Sequence, residues 1–314
     1  RMMNGARIAV GLQSLSVASS AYQNALEYAK DRKQGANFKF WKDPSKPRVP
    51  IIEHPDVRRM LLELKSVTEG IRSLVVKLAM HHDYAELYAG KDDEKSAYHR
   101  GQVDLLTPLV KSYASDESFR LCAQAIQVYG GAGFLKDWPA EQYTRDAKIF
   151  SIYEGTNHIQ AMDLVGRKLG QNGGANFQSF MSDVSAFVET NRSHPVLGKE
   201  VEALGLASEQ VMQVAMGMLG WSQSDKTHLV PLNANRFLTM MSIVAVGWLS
   251  LDAGIKAHAA LAKGKDAPFY EGKVASAKYY GRNVVPQVEG LAKMAQLEDT
   301  TAVELSDAAF SSAS

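Results

Sequence analysis

One acidic residue stands out because of its place between two helical patterns. Glu154 belongs to a short Tyr-Glu-Gly turn, two residues before Thr156, a residue type that caps the helix that follows. The turn aims the carboxylate outward, where it can take part in catalysis. Upstream, Gly130, Gly131 and Gly133 break the end of a long helical pattern, so the backbone can approach a bulky group without interference from Cβ atoms.

Both features also have a purely structural explanation. An acidic residue near a helix N-terminus is stabilised by the helix dipole, and a glycine cluster often only ends a helix. The chain offers its own comparison, because Tyr270, Glu271 and Gly272 repeat the same three letters. Lys273 follows in place of threonine and no glycine loop precedes this second copy, so we interpret it as structural.

Other polar groups suggest functions that the sequence does not favour. His81, His82 and Asp83 suggest a metal, but neighbouring helical residues diverge by about 100°, so we expect a solvated helix end and no metal site. Cys122 lies between apolar residues and is predicted to be core, since a nucleophile would need an activating base in reach. The loop 36–52 mixes basic and aromatic residues, which can bind nucleic acid, but we favour a subunit contact there.

Length and composition limit the possible classes. The chain has 314 residues, 46% of them hydrophobic, a net charge of +1 and one cysteine. These values favour about two globular domains, no overall field for nucleic acid or an anionic membrane, and a reducing compartment. We expect a cytoplasmic protein with no membrane span, because the sequence shows no apolar run close in length to the roughly 18 residues that a span needs. The opening Arg1, already in a helical pattern, suggests the later part of a longer polypeptide.

Apolar residues at steps of three and four predict an all-α fold without strands. The predicted helices cover 2–32, 55–87, 102–129, 139–150, 156–169, 177–191, 195–222, 233–263 and 268–296. Residues 88–99 are predicted to form a polar connection and residues 171–176 a linker, and the tail from Leu297 is predicted to fray. The resulting domains are 1–170, an up-and-down helical bundle, and 177–314, a second bundle.

Three motifs within residues 127–160 carry a family resemblance. QVYGGAGF at 127–134, RDAKI at 145–149 and YEGT at 153–156 follow one another in order. This run resembles the C-terminal signature of the acyl-CoA dehydrogenases, and the three motifs together are specific although each alone is weak. Residues 1–169 are similar throughout to the helical C-terminal domain of that family. Residues 177–314 are similar to the extra helical region of longer bacterial members, which include the 3-methylmercaptopropionyl-CoA dehydrogenases.

The resemblance implies an activity, a cofactor and partners. The family uses FAD to convert an acyl-CoA thioester to a trans-2-enoyl-CoA. Glu154 would remove the α-proton while hydride passes from Cβ to the flavin. Electrons would then leave to electron-transfer flavoprotein, and the protein would be a homodimer or homotetramer that binds neither nucleic acid nor a membrane. The family's preceding helical and β-domains also contribute to the site, so we expect this chain alone to be inactive.

The resemblance also assigns roles position by position. The implied cofactor-binding residues are Arg32, Gln127, Gly130, Gly131, Thr156 and His158. The implied substrate-binding residues are Asn4, Arg7, Tyr153 and Gly155. In the family, the positions of Arg32 and Gln127 contact the FAD of the neighbouring subunit, whereas those of Thr156 and His158 contact the subunit's own flavin. Arg145 and Asp146 are expected to order the loop under the site.

Some positions depart from the common family pattern. Asn4 stands where many relatives carry Asp, His158 replaces a frequent Gln, and Gln34 and Gly35 replace Thr-Phe. These departures concern ligand contacts and leave Glu154 unaffected.

Three further interpretations stay open at this level. An acyl-CoA oxidase would share the same residues and pass electrons to oxygen. A non-catalytic, DNA-associated flavin-binding relative would need a basic later region, but residues 171–314 hold eleven Lys and Arg against fourteen Asp and Glu, a net charge of −3. The later region could also be purely an interaction module.

Overall fold

The computed structural model describes residues 2–40, 42–43, 45–264 and 266–311, and the fold within these ranges is all-α, as predicted. The described α-helices are α1 (Met2–Asp31), α2 (Pro55–Tyr88), α3 (Asp93–Tyr129), α4 (Pro139–Ala147), α5 (Asn157–Asp163), α6 (Ala175–Asn191), α7 (Gly198–Ser222), α8 (Leu229–Leu261), α9 (Ala267–Asn283), α10 (Gln287–Gln296) and α11 (Thr301–Glu304). A π-helical stretch, Leu164–Lys168, extends α5. The one β feature in the described residues is an isolated bridge between Lys33 and Pro50.

Helices α1, α2 and α3 pack together, and α1 approaches α3 closely. A Cβ added at Gly11 on α1 would lie 2.5 Å from Cγ1 of Val110 on α3, so only glycine allows this spacing. Further along, α1 buries the small side chains of Ala18, Ala21 and Ala25. The close contact matters for function because it brings the N-terminal half of α1 next to the middle of α3.

Helix α8 is the centre of the second half and packs against α2, α3, α5, α7 and α9. One continuous hydrophobic core therefore runs through both halves of the chain. The expectation that no stretch approaches a membrane span is wrong for α8, which is long and apolar enough to cross one by length and composition. More than half of its most apolar window is buried inside the fold, and such a core helix is hydrophobic on nearly every face.

The predicted connection at 88–99 is mostly helical, which is a correction to the sequence interpretation. Only Ala89–Asp92 connect α2 to α3, and the Asp92 side chain caps α3 by accepting a hydrogen bond from Lys95 N at 3.0 Å. The acidic residues Asp93 and Glu94 occupy the first turn, where the helix dipole stabilises them. The charged run is thus a capped helix start.

Helix boundaries in the second half also differ from the prediction. The helix predicted from residue 195 begins at Gly198, after a turn that contains Pro195. The single helix predicted over 268–296 is two helices, because Pro286 cannot continue the hydrogen bonding of α9 and instead starts α10. The tail beyond Leu297 is exposed but contains α11 and a 3-10 turn at Asp307–Phe310, so the described part is not simply frayed.

The predicted linker at 171–176 is packed against the first half. It forms a 3-10 turn, Gln171–Gly174, in which Asn172 and Gly173 have positive φ values. Asn176 is buried, and its carbonyl oxygen accepts a hydrogen bond from Gln102 Nε2 at 3.0 Å. The stretch is therefore an ordered connection.

Candidate active site

The turn that carries Glu154 has a left-handed backbone. Glu154 has a φ of 56° and Gly155 a φ of 84°. This conformation is uncommon for glutamate and is kept only where neighbouring groups hold it. The buried side chain of Gln160 does so, since its Nε2 donates to Gly155 O at 3.3 Å and to Glu154 O at 3.5 Å.

Helix α5 starts directly after the turn and is fixed at its first residues. Thr156 Oγ1 accepts a hydrogen bond from Ile159 N at 3.4 Å, which is the predicted cap. Asn157 is tied to α3, because its Oδ1 accepts from Lys111 Nζ at 2.9 Å and its Nδ2 donates to Ser115 Oγ at 2.9 Å. The turn is therefore anchored on its C-terminal side by two helices.

Helix α1 supplies the third side of the site. Tyr153 donates from its hydroxyl to Gln13 Oε1 at 2.5 Å. Burial, with a smaller contribution from the Glu154 charge, raises the pKa of Tyr153, so the hydroxyl keeps its proton. Arg7 pairs with Asp163 of α5 at 3.3 Å, while its Nε is buried without a hydrogen-bond partner among the described residues.

The charges around the turn are coupled. Burial lowers the pKa of Lys111 to about 8; the Asp116 and Glu154 charges oppose this shift and the Arg7 charge adds to it. Burial also raises the pKa of Asp116, against a hydrogen bond from Asn157. The cationic groups of Lys111 and Arg7 therefore lie within electrostatic reach of one another, and Glu154 is also within reach of Lys111.

Four predicted cofactor-binding residues line a different place. A cleft of about 620 Å³ lies where α1 ends, α2 begins and α3 ends, and its lining includes Arg32, Gln127, Gly130 and Gly131. Gly130 has a φ of 61°, and a Cβ added at Gly131 would meet no atom within 4 Å, so the backbone there is open to a ligand. The exposed Arg32 forms no ion pair with another described residue.

The predicted site residues thus form two separate groups along α1. Tyr153 contacts Gln13 near the middle of α1, and the cleft lies beside Arg32 just past its C-terminal end, roughly 28 Å away at 1.5 Å per residue. Tyr153 and Thr156 flank Glu154 in the turn, whereas Arg7 pairs with Asp163 at the end of α5. The structure does not bring the cleft residues to the Glu154 carboxylate.

Some predicted residues lack side-chain contacts that would fix a role. Neither the partly buried Asn4 nor the exposed His158 forms a side-chain hydrogen bond to another described residue. Arg145 is exposed and pairs with Glu141 at 3.3 Å on its own helix, and Asp146 also accepts a hydrogen bond from within α4. The expected ordering of the loop by these two residues is therefore replaced by contacts within α4.

Sequence reasoning missed several residues that hold the turn. They are Gln13, Lys111, Asn157 and Gln160. Lys111 left a usable signal, because it is a charged residue inside the apolar run LLTPLVKSY on a helix face that is otherwise core. Gln13 and Asn157 left none, since their partners come from distant parts of the chain. Gln160 bonds to carbonyl groups only five and six residues before it, but no sequence pattern marks such a contact.

The remaining polar candidates behave as core. His81 is buried and its Nδ1 lies 2.8 Å from Nδ1 of His99, so the predicted solvated helix end is wrong there. Burial raises the pKa of the Cys122 thiol to about 12, which keeps it protonated. Within the described ranges, no group of three or more His, Cys, Asp or Glu could hold a metal.

Glu271, in the second Tyr-Glu-Gly copy, lies inside α9 and not in a left-handed turn.

Family models match most of the chain. Residues 1–169 match the model described as acyl-CoA dehydrogenase, C-terminal domain, and residues 180–306 match acetyl-CoA dehydrogenase C-terminal like. The chain therefore belongs to the acyl-CoA dehydrogenase family, as the sequence motifs indicated.

Individual relatives agree with this assignment. The chain is 37% identical to the broad-specificity linear acyl-CoA dehydrogenase FadE5 of Mycobacterium tuberculosis, covering 97% of this chain and 51% of that protein. It is 34% identical to the 3-methylmercaptopropionyl-CoA dehydrogenase of Ruegeria pomeroyi, covering 95% and 50%. The chain thus spans about half the length of these curated relatives.

A solved structure supports the fold. The acyl-CoA dehydrogenase from Bacillus anthracis, complexed with FAD, superposes with a TM-score of 0.71 at 18% identity, covering 98% of this chain and 50% of that chain. At this identity the likeness concerns the fold alone.

Proposed function

We propose that the whole protein of which this chain is a part is an FAD-dependent acyl-CoA dehydrogenase, with Glu154 as the base that removes the α-proton. The observation that carries the proposal is the position of Glu154 on a left-handed turn, which Gln160 holds and which leads into α5, itself tied to α3 through Asn157. A purely structural acidic residue at a helix start needs neither the strained backbone nor the buried amide that holds it.

The chemistry explains why the carboxylate must be held. The α-hydrogen of a thioester is a weak acid, so the base needs a fixed position beside it. The Glu154 carboxylate takes this proton, and the electron pair of the Cα–H bond forms the new double bond. The backbone N–H of Glu154 donates to the thioester oxygen and stabilises the charge that develops there. When bound, the flavin supplies the acceptor for the hydride that leaves Cβ.

The two groups of predicted residues suit two parts of the cofactor. Thr156 and His158 follow the base and would contact the flavin of the same subunit. In the cleft, Arg32 offers a cation for the pyrophosphate, and Gly130 and Gly131 offer open backbone for the adenosine side. In the family, the counterparts of Thr156 and His158 contact the subunit's own flavin, whereas those of Arg32 and Gln127 contact the FAD of the neighbouring subunit. The separation of these two groups along α1 supports the same arrangement here, and therefore a homodimer or homotetramer.

We also propose that residues 1–170 and 177–314 have different roles. All proposed ligand contacts lie in the first segment. The second segment packs α8 against α3 and α5, behind the site, so it supports the position of the turn. Electrons would leave to electron-transfer flavoprotein, and the activity is that of the whole protein, since this chain spans about half of its relatives.

An anaerobic flavin absorbance titration of the full-length protein with acyl-CoAs of different chain length tests the proposal. We expect loss of the oxidised flavin band with at least one chain class and formation of the trans-2-enoyl-CoA. A bound flavin that no acyl-CoA reduces would contradict the proposal. Reoxidation by oxygen as fast as by an artificial acceptor would instead indicate an acyl-CoA oxidase.

A further inference from the structure

Lys111 is a buried cation beside the proposed active site that the mechanism above does not use. Its side chain lies within α3 with no exposed surface. Nζ donates to the neutral Asn157 Oδ1 at 2.9 Å, and no described carboxylate forms an ion pair with it. Burying a charge without an ionised partner is costly, so its presence in the core calls for a reason.

Lys168 shows the ordinary way to bury a lysine in this chain. Its side chain is also almost fully buried, but Nζ lies 2.8 Å from Asp104 Oδ1, so its charge is neutralised locally. Lys111 has no such pairing. Lys168 therefore forms an ion pair with an acidic residue, whereas Lys111 donates its hydrogen bond to the neutral side chain of Asn157.

The hydrogen bond from Lys111 leads directly to the turn. Asn157 is the first residue of α5 and follows Glu154 by three positions. Its carboxamide is held by Lys111 on one side and by Ser115 Oγ and the Ser112 carbonyl oxygen on the other. Lys111 is therefore one of three groups on α3 that hold the start of α5, and the one that carries a charge.

The charged groups around Lys111 come from every element packed there. Arg7 reaches in from α1 but is paired with Asp163 of α5. Asp116, on α3, lies within electrostatic reach of Lys148 and Lys111. Among the nearby acidic groups, the Asp116 charge compensates that of Lys111 more than the Glu154 charge does, so Lys111 acts on the turn through its hydrogen bond to Asn157.

We propose that Lys111 is a positioning residue for the dehydrogenation proposed above, on which this inference rests: its ammonium fixes the start of α5, and with it the Glu154 turn, through Asn157. Burial lowers the pKa of Lys111 to about 8, so the amine is still mostly charged at neutral pH and its hydrogen bond to Asn157 Oδ1 is charge-assisted.

The test uses the full-length, FAD-loaded protein and the rate of anaerobic flavin reduction at rising concentrations of an acyl-CoA. Lys111→Met removes both the charge and the hydrogen bond, whereas Lys111→Gln removes the charge but keeps an N–H donor for Asn157. Lys168→Met is the matched control for loss of a buried lysine. We expect Lys111→Met to lower the limiting rate about tenfold with little change in the half-saturating acyl-CoA concentration, because the base is misplaced after the substrate has bound. Lys111→Gln should recover part of that loss, and Lys168→Met should leave the limiting rate unchanged.

The outcomes separate the two proposals. If acyl-CoA reduces the wild-type flavin and the limiting rate of Lys111→Met equals that of the wild type, the Lys111 hydrogen bond has no part in positioning the base and the inference fails. If Lys111→Met does not fold, the same comparison is made with Asn157→Ala, which removes the acceptor of that hydrogen bond, and a wild-type limiting rate there also overturns the inference. If no acyl-CoA reduces the wild-type flavin at any concentration, the proposed function itself fails.

Discussion

Gln160 holds the backbone of Glu154 in place: its Nε2 lies 3.5 Å from Glu154 O and 3.3 Å from Gly155 O. The two left-handed residues are thus tied to the first turns of α5, which is itself tied to α3 through Asn157. The position of the turn therefore depends both on a local contact within six residues and on the packing of α5 against α3.

Replacing Gln160 by Leu should weaken the turn and slow the chemistry. The substitution leaves carbonyl groups of the turn without their donor, at a cost of about 1–3 kcal/mol in the free energy of unfolding. Because the base is then misplaced, flavin reduction by acyl-CoA should slow by about tenfold or more. Denaturant unfolding and stopped-flow absorbance measure the two effects. Gln142→Leu, at an exposed amide on α4, is the control and should change neither.

Thr156 should contribute to stability as a helix cap. Thr156→Val keeps the side-chain shape but removes the oxygen that accepts from Ile159 N. The expected loss is about 1 kcal/mol in the free energy of unfolding, and Thr156→Ser should recover most of it. Equal losses for the valine and serine variants would show that the cap does not stabilise α5.

A buried pair of hydroxyls joins the two halves of the chain. The hydroxyls of Tyr113 on α3 and Tyr280 on α9 lie 2.7 Å apart, and both side chains are buried. Either single Tyr→Phe change leaves one hydroxyl without its partner, so each should cost about 1–3 kcal/mol, whereas the double change should cost less than the sum. A double-mutant cycle in denaturant measures this coupling, and strictly additive losses would contradict it.

Protein stability should fall in acid because of His81. Burial, followed by the charges of Lys77 and His99, lowers the pKa of His81 to about 3. A histidine in the unfolded chain has a pKa of about 6.5. Between about pH 6.5 and 3, the unfolded chain therefore binds a proton at His81 that the folded protein does not bind. The free energy of unfolding should therefore decrease as pH falls from about 6.5 towards 3. His81→Gln should flatten this dependence, while His82→Gln, at the exposed neighbour, should leave it unchanged.

Much of the fold followed from local patterns. The period of apolar residues located the long helices, and Pro55 and Thr156 marked helix starts that the structure confirms. The prediction failed where a polar run formed a helix, as at Asp93, because the deciding feature was the cap made by Asp92. It also failed at His81, since burial by α3 and α6 cannot be inferred from the neighbours of a residue in sequence.

The candidate site could be predicted only in part. The letters around Glu154 located the turn, but its left-handed conformation depends on Gln160 and on the packing of α5 against α3. Lys111 reaches Asn157 across 46 residues of sequence. Contacts of this range are set by tertiary packing, which periodicity does not encode.

The most direct test of the central claim is the anaerobic flavin spectrum of full-length Glu154→Gln before and after addition of an acyl-CoA that reduces the wild-type flavin. The amide preserves size and hydrogen bonding but cannot accept the α-proton at neutral pH. We expect normal FAD content and no loss of the oxidised band, whereas Glu271→Gln, in the second Tyr-Glu-Gly copy within α9, should bleach like the wild type. Bleaching of Glu154→Gln at the wild-type rate would contradict the assignment of Glu154 as the base.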